Sequence, residues 1–140
     1  MKYFAIILFA LVSVNTFAQS SGDVVPDNRL YARYSSEYIQ NIMNSDPNAI
    51  AYMNYELDFG YTISDVGVEK ASSLPVLYYL NTADKTIGLA VADIDESNVN
   101  IMLFNFDRLY DKANVYRIGN TGKVISFTSL KQLNKEFNQN

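Results

Sequence analysis

The chain has 140 residues, no Cys, no His and no Trp, and a formal net charge of −4. This excludes disulfide frameworks, thiolate metal sites, thiol nucleophiles and imidazole acid–base chemistry. An acidic chain without a basic run also lacks the charge that neutralises phosphates, so no nucleic-acid partner is expected.

Residues 1–18 are expected to form a cleaved signal peptide. Met1 and Lys2 supply a short positive start, and Phe4 to Val14 is apolar except for Ser13. Thr16 and Ala18 then fit positions −3 and −1 of a cleavage site before Gln19. As a helix, the apolar stretch reaches about 16 Å, roughly half of a bilayer core of about 30 Å. It therefore reads as a leader, with no transmembrane segment left after cleavage. No Cys follows it, so lipoprotein processing is excluded. The Thr16-Phe17-Ala18-Gln19 ending, the single Lys2 and the Asn- and Tyr-rich remainder resemble small exported proteins of Bacteroidota-type bacteria. That resemblance covers the leader and composition alone. It implies the periplasm, the outer-membrane periphery or the extracellular space. Without the leader, 122 residues remain at a charge of −5, since Lys2 is lost. That length can bury a core without disulfides.

Residues 19–28 read as a flexible lead-in, because the stretch is polar and Pro26 favours extended backbone before it. Residues 29–140 read as one α+β domain. Arg29 to Tyr34 fits either a strand or an irregular segment. Ser35 caps a helix with a Tyr38, Ile39, Ile42, Met43 stripe. Asp46-Pro47 starts a second helix that points Ile50, Met53, Tyr55 and Leu57 inward and ends near Gly60 as its C′ residue. Strands are expected at Tyr61–Val66, Val76–Leu80, Ile87–Ile94 and Val99–Phe106, the last as a central strand buried on both faces. Val68–Ser73 is a loop or helical turn. Gly119-Asn120-Thr121-Gly122 joins Val115–Ile118 to Lys123–Phe127 as a hairpin. Thr128-Ser129 caps a final amphipathic helix through Leu130, Leu133 and Phe137. The expected architecture is an N-terminal helical pair, an antiparallel β-sheet with a C-terminal hairpin, and a short C-terminal amphipathic helix.

Four constellations could carry chemistry. Asp93-Ile94-Asp95-Glu96-Ser97-Asn98 begins like a calcium loop, but Asn98 stands where Gly is needed and Phe104 where Glu is needed. It reads as a polar turn, with calcium a weak possibility and no metal or cofactor expected. Gly119 to Lys123 resembles a phosphate loop without the required spacing, since only two residues separate the glycines and Val124 follows the lysine. Asp107 and Asp111 would share a helix face if the segment were helical, but a solvated linker explains them. Ser72, Ser73, Ser126, Ser129 and Lys131 are present without an S-x-x-K motif.

The strongest interaction candidate is Arg29, Tyr31, Arg33, Tyr34 and Tyr38, because Tyr and Arg combine apolar area with directed hydrogen bonds. Core-edge tyrosines are the structural alternative. The expected function is a small exported, non-enzymatic subunit that binds another envelope or secreted protein. Alternatives are a glycan- or peptide-binding module with an apolar pocket lined by Tyr52, Tyr55, Tyr78 or Phe104, and a hydrolase using Asp93, Asp95, Asp107 or Asp111.

Overall fold

The computed structural model describes residues 23–81 and 83–140. The expected signal peptide lies outside the described residues. Asp27 accepts from the Arg29 N–H and opens a 3₁₀ turn, Asn28–Ala32, which buries Leu30. The Arg29–Tyr34 segment, for which strand and irregular forms both fit, is therefore a capped turn. The end of the lead-in is anchored. The Asp27 N–H donates to Asn54 Oδ1, and Asn54 Nδ2 donates to the Val25 carbonyl.

Helix α1 spans Ser36–Ser45, capped by Ser35, and buries Ile39 and Ile42. Helix α2 spans Pro47–Phe59, with Asp46 as cap and proline in the first turn. Proline suits that turn because its missing N–H has no partner there anyway. Ile50 and Leu57 are buried as expected, whereas Met53 and Tyr55 are partly covered. Gly60 caps α2 at φ −78°, not in the left-handed region. Its glycine is a matter of space. A Cβ there would collide with the Glu56 carbonyl and sit 2.9 Å from Arg108 Nη2.

Among the described residues, six strands form two antiparallel sheets. The first holds β1 (Tyr61–Asp65), β6 (Lys123–Phe127) and β5 (Asn114–Arg117), with β6 in the centre. The hairpin is as expected, and Arg117 pairs with Val124. Gly119 (φ 51°) and Gly122 (φ 81°) supply the left-handed positions of its turn. The second sheet holds β3 (Thr86–Ala90), β2 (Tyr78–Asn81) and β4 (Phe104–Asn105), with β2 in the centre. Pro75–Leu77 joins them: Val76 bridges Arg117 in parallel, and the Leu77 N–H donates to the Arg117 carbonyl. Helix α3 (Val68–Ala71) is one turn, and α4 (Leu130–Phe137) is capped by Ser129.

The class is α+β, as expected, but the sheet is divided in two. The expected central strand at Val99–Phe106 is a 3₁₀ turn, Ile101–Leu103, running into a two-residue edge strand. Asn100 caps that turn by accepting from the Met102 N–H. Ile101, Met102 and Phe104 are buried because the tight turn directs several side chains inward. A turn thus reproduces the two-sided burial that spacing assigned to a strand.

One core runs through the molecule. Leu30, Ile39, Ile50, Leu57, Leu77, Val91, Ile101, Ile118, Ile125 and Phe127 are fully or almost fully buried within it. Among the described residues, no helix is long and apolar enough to cross a membrane.

Candidate functional site

The Tyr/Arg segment divides when its contacts are traced. Arg29 wraps Asp27, with Nε 3.0 Å from Oδ1 and Nη2 2.7 Å from Oδ2, and also pairs with Asp58. The Arg29 guanidinium holds the Asp27 carboxyl below its usual range. Arg33 donates to the Met102 carbonyl (3.1 Å) and the Phe104 carbonyl, and lies 5.5 Å over the Phe106 ring. Tyr34 stacks on Tyr38 at 5.1 Å, and burial pushes its hydroxyl pKa up. Tyr31 and Tyr38 reach solvent. Both arginines are thus engaged inside the fold, while two tyrosines remain presentable.

Arg33 also matters for the second sheet. Its guanidinium occupies carbonyls at and just before β4, which is one edge of that sheet. The opposite edge, β3, is built differently. Its turn is set by Asn81, which accepts from the Ala83 N–H, and by Asp84, which accepts from both the N–H and hydroxyl of Thr86. Lys85 adopts φ 61° there and donates through Nζ to the Arg33 carbonyl. Beyond the turn, β3 pairs with β2 through Asn81↔Thr86 and Leu80↔Ile87, then shifts so that Tyr78 meets Ala90. Tyr79 consequently faces both Gly88 and Leu89, one residue too many, which makes a bulge. A Cβ on Gly88 would lie 3.0 Å from the Tyr79 carbonyl, so glycine suits the bulged position.

Among the described residues, no strand pairs with the outer side of β3. Ile87 is 64% exposed and Leu89 83%. Tyr78, Tyr79 and Leu103 on the same sheet and its approach are also open to solvent. A long apolar edge is usually blunted by charge, proline or a covering element. The edge at β1 is blunted: Thr62, Ser64 and Asp65 are its exposed residues. The β3 edge carries only the bulge.

Other sequence candidates fall elsewhere. Asp95 accepts from the N–H and hydroxyl of Ser97, and the hydroxyl bond lowers its carboxyl pKa. Asp93 and Glu96 flank Lys123 at 3.9 Å and 2.9 Å. The segment is a turn whose carboxylates already have partners, and the lysine of the hairpin loop is engaged by them. Among the described residues, no group of three or more acidic side chains is arranged to hold a metal. Asp93, Asp95, Asp107 and Asp111 are all exposed, so the apolar surroundings that create a general acid are missing around each. The 106–113 segment is not helical, so Asp107 and Asp111 do not share a helix face. Tyr52 and Tyr55 pack on Phe137, whereas Tyr78 and Phe104 belong to the second sheet. An open pocket of about 120 Å³ lies beside Tyr79, Asp93, Asn98, Leu103 and Phe104. Drug-sized ligands typically fill about 300 Å³ or more.

Sequence reasoning missed Arg108. It is not part of a solvated linker: its side chain is only 5% exposed. Nε and Nη2 both donate to Glu56 Oε1, and Nη1 donates to the Gly60 and Thr128 carbonyls. Its guanidinium sits 5.5 Å from the Phe106 centroid, and Phe106 stacks on Phe127 at 3.7 Å. This clamp ties α2 to the β6–α4 junction. Its donors are turned to internal acceptors, which makes it structural. No protein-family model, curated protein or solved structure is significantly similar to the chain.

Proposed function

We propose that this chain is a small exported protein-binding subunit, an accessory or structural component of a bacterial cell-envelope or secreted assembly, with no catalytic activity of its own. The leader-like residues 1–18 support export. One observation carries the binding role: among the described residues β3 has no strand on its outer side, and it sends Ile87 and Leu89 into solvent. Large contiguous apolar exposure on a small protein marks interaction sites. The same sheet adds Tyr78 and Tyr79, and Tyr side chains suit interfaces because they pair apolar area with a hydroxyl. Tyr31 and Tyr38 extend the candidate surface beyond the sheet.

A photo-crosslinking amino acid placed at Leu89 tests this in the native host. The expected result is a discrete crosslinked species in envelope or secreted fractions. The same probe at Val68, an exposed apolar residue on α3, should give none. A monomer uncrosslinked from both positions would remove the binding role.

A further inference from the structure

We propose that the open pocket beside β2 and β4 receives the guanidinium of an arginine side chain of the partner protein. This rests on the docking role proposed for the same sheet. Tyr79 belongs to both places: it meets Leu89 at the bulge and it lines the pocket.

The lining sets the chemistry of the occupant. Part of it is apolar and aromatic. Tyr79 and Leu103 reach solvent, Phe104 is buried, and the Tyr79 and Phe104 rings lie 5.7 Å apart. The rest comes from the polar turn after β3, which brings Asp93, Asp95 and Asn98 to the same opening. An aromatic surface beside carboxylates suits an organic cation. The ring face attracts positive charge, and the carboxylates accept charged N–H donors. The volume is about 120 Å³, room for the head of a side chain and less than a drug-sized ligand fills.

The pocket is negative and lacks a cation of its own. Asp93 Oδ1 accepts from the Ile94 N–H, and Asp95 Oδ1 accepts from Ser97. Among the described residues, the Oδ2 atom of each accepts no hydrogen bond. Lys123 does not line the pocket; it pairs with Glu96 at 2.9 Å and reaches Asp93 Oδ1 at 3.9 Å. Asn100 is engaged already, accepting from the Met102 N–H and donating to the Arg29 carbonyl. A guanidinium suits what remains better than an ammonium. It is planar and weakly hydrated, so it can lie on a ring and still donate in its plane. A second copy of this chain does not supply one. Its four arginines are held within the fold: Arg29 by Asp27 and Asp58, Arg33 by the Met102 and Phe104 carbonyls, Arg108 by Glu56, and Arg117 by Gly119 and Asn120.

The probe is the peptide acetyl-Gly-Arg-Gly-amide, titrated at low salt into the isotope-labelled protein while amide shifts are followed. Saturable shifts centred on Tyr79 and on residues 93–104 are expected. Citrulline in place of the peptide arginine keeps the shape and removes the charge, and should weaken binding by about tenfold. Asp93→Asn combined with Asp95→Asn should do the same. Asparagine keeps the Oδ1 acceptor in each turn, so the folded spectrum should persist. Tyr79→Leu, which removes the ring face but keeps apolar area, should weaken binding by about threefold. No saturation at millimolar peptide, shifts centred elsewhere, or equal binding of the citrulline peptide would overturn the proposal. So would tighter binding of the matching lysine peptide, or the same saturable shifts from calcium chloride alone. In the host, the crosslink from Leu89 should weaken in the paired asparagine variant. A crosslink that persists there unchanged overturns the arginine contact and leaves docking standing. If Leu89 of the unaltered chain does not crosslink, the docking role itself falls.

Discussion

The two sheets are built from similar strand formers but are used in opposite ways. In the first, the central strand β6 buries Val124, Ile125 and Phe127. Helix α2 packs on β1, α3 packs on β6, and the Arg108 clamp closes the junction after β6. In the second, the central strand β2 leaves Tyr78 and Tyr79 partly open, and β3 exposes Ile87 and Leu89. Its close neighbour is the 3₁₀ turn before β4. The difference lies in what covers each sheet, not in strand propensity. One sheet holds the fold, and the other presents a surface.

The largest test of that contrast is truncation of a side chain in each sheet. Phe127→Ala should cost about 3–5 kcal/mol, because it removes a fully buried ring from its stack with Phe106. Leu89→Ala should change stability by less than about 0.5 kcal/mol, since the side chain is mostly solvated already. Chemical denaturation of both variants measures the gap directly. Equal losses would mean that the second sheet also holds the core.

Next in size is the clamp. Arg108→Met should destabilise by about 3 kcal/mol, because it leaves a largely buried Glu56 carboxylate and two carbonyls without their donor. Denaturant midpoints check this, and a loss below about 0.5 kcal/mol would place the guanidinium among ordinary surface charges.

Acid should weaken the fold through the carboxylates held below their usual range, Asp27, Asp84 and Asp95. A depressed folded-state pKa stabilises above the unfolded value of about 4 and loses that contribution as pH falls further. The melting temperature should therefore hold from pH 7 to about pH 5 and decline below about pH 4. Asp27→Asn should flatten part of that decline.

The smallest expected effect is at Tyr52, whose ring is buried and whose hydroxyl has no hydrogen-bond partner among the described residues. Burial pushes its pKa up to about 12. The folded state then keeps a proton that the unfolded state releases above about pH 10, so stability falls from pH 10 to 12. Tyr52→Phe should be neutral or stabilising by up to about 1 kcal/mol at pH 7, and should reduce that alkaline loss. Thermal melts across pH 9–12 read both effects.

What could be read from the sequence follows from the range of each interaction. Ser35, Asp46-Pro47 and Ser129 cap helices within three residues of themselves, so their signals are local and were legible. The hairpin was legible because its glycines serve the turn that contains them. Arg108 was not, since its meaning depends on Glu56, 52 residues earlier in the chain. Arg29 and Arg33 were legible as an unusual cluster but not as internal ligands, for the same reason: Arg33 finds its acceptors at Met102 and Phe104. The exposed edge at β3 was hidden by its own composition. Ile87 to Ile94 is apolar whether it lies inside or outside, and only the strand order shows that β3 ends the sheet.

Amide hydrogen exchange tests the contrast most directly. In the isolated protein, the amides of Ile125 and Phe127 should exchange only through global unfolding, while those of residues 86–90 exchange through local opening. Equal protection of β3 and β6 in the free protein would contradict the division into a sheet that holds the fold and a sheet that presents a surface.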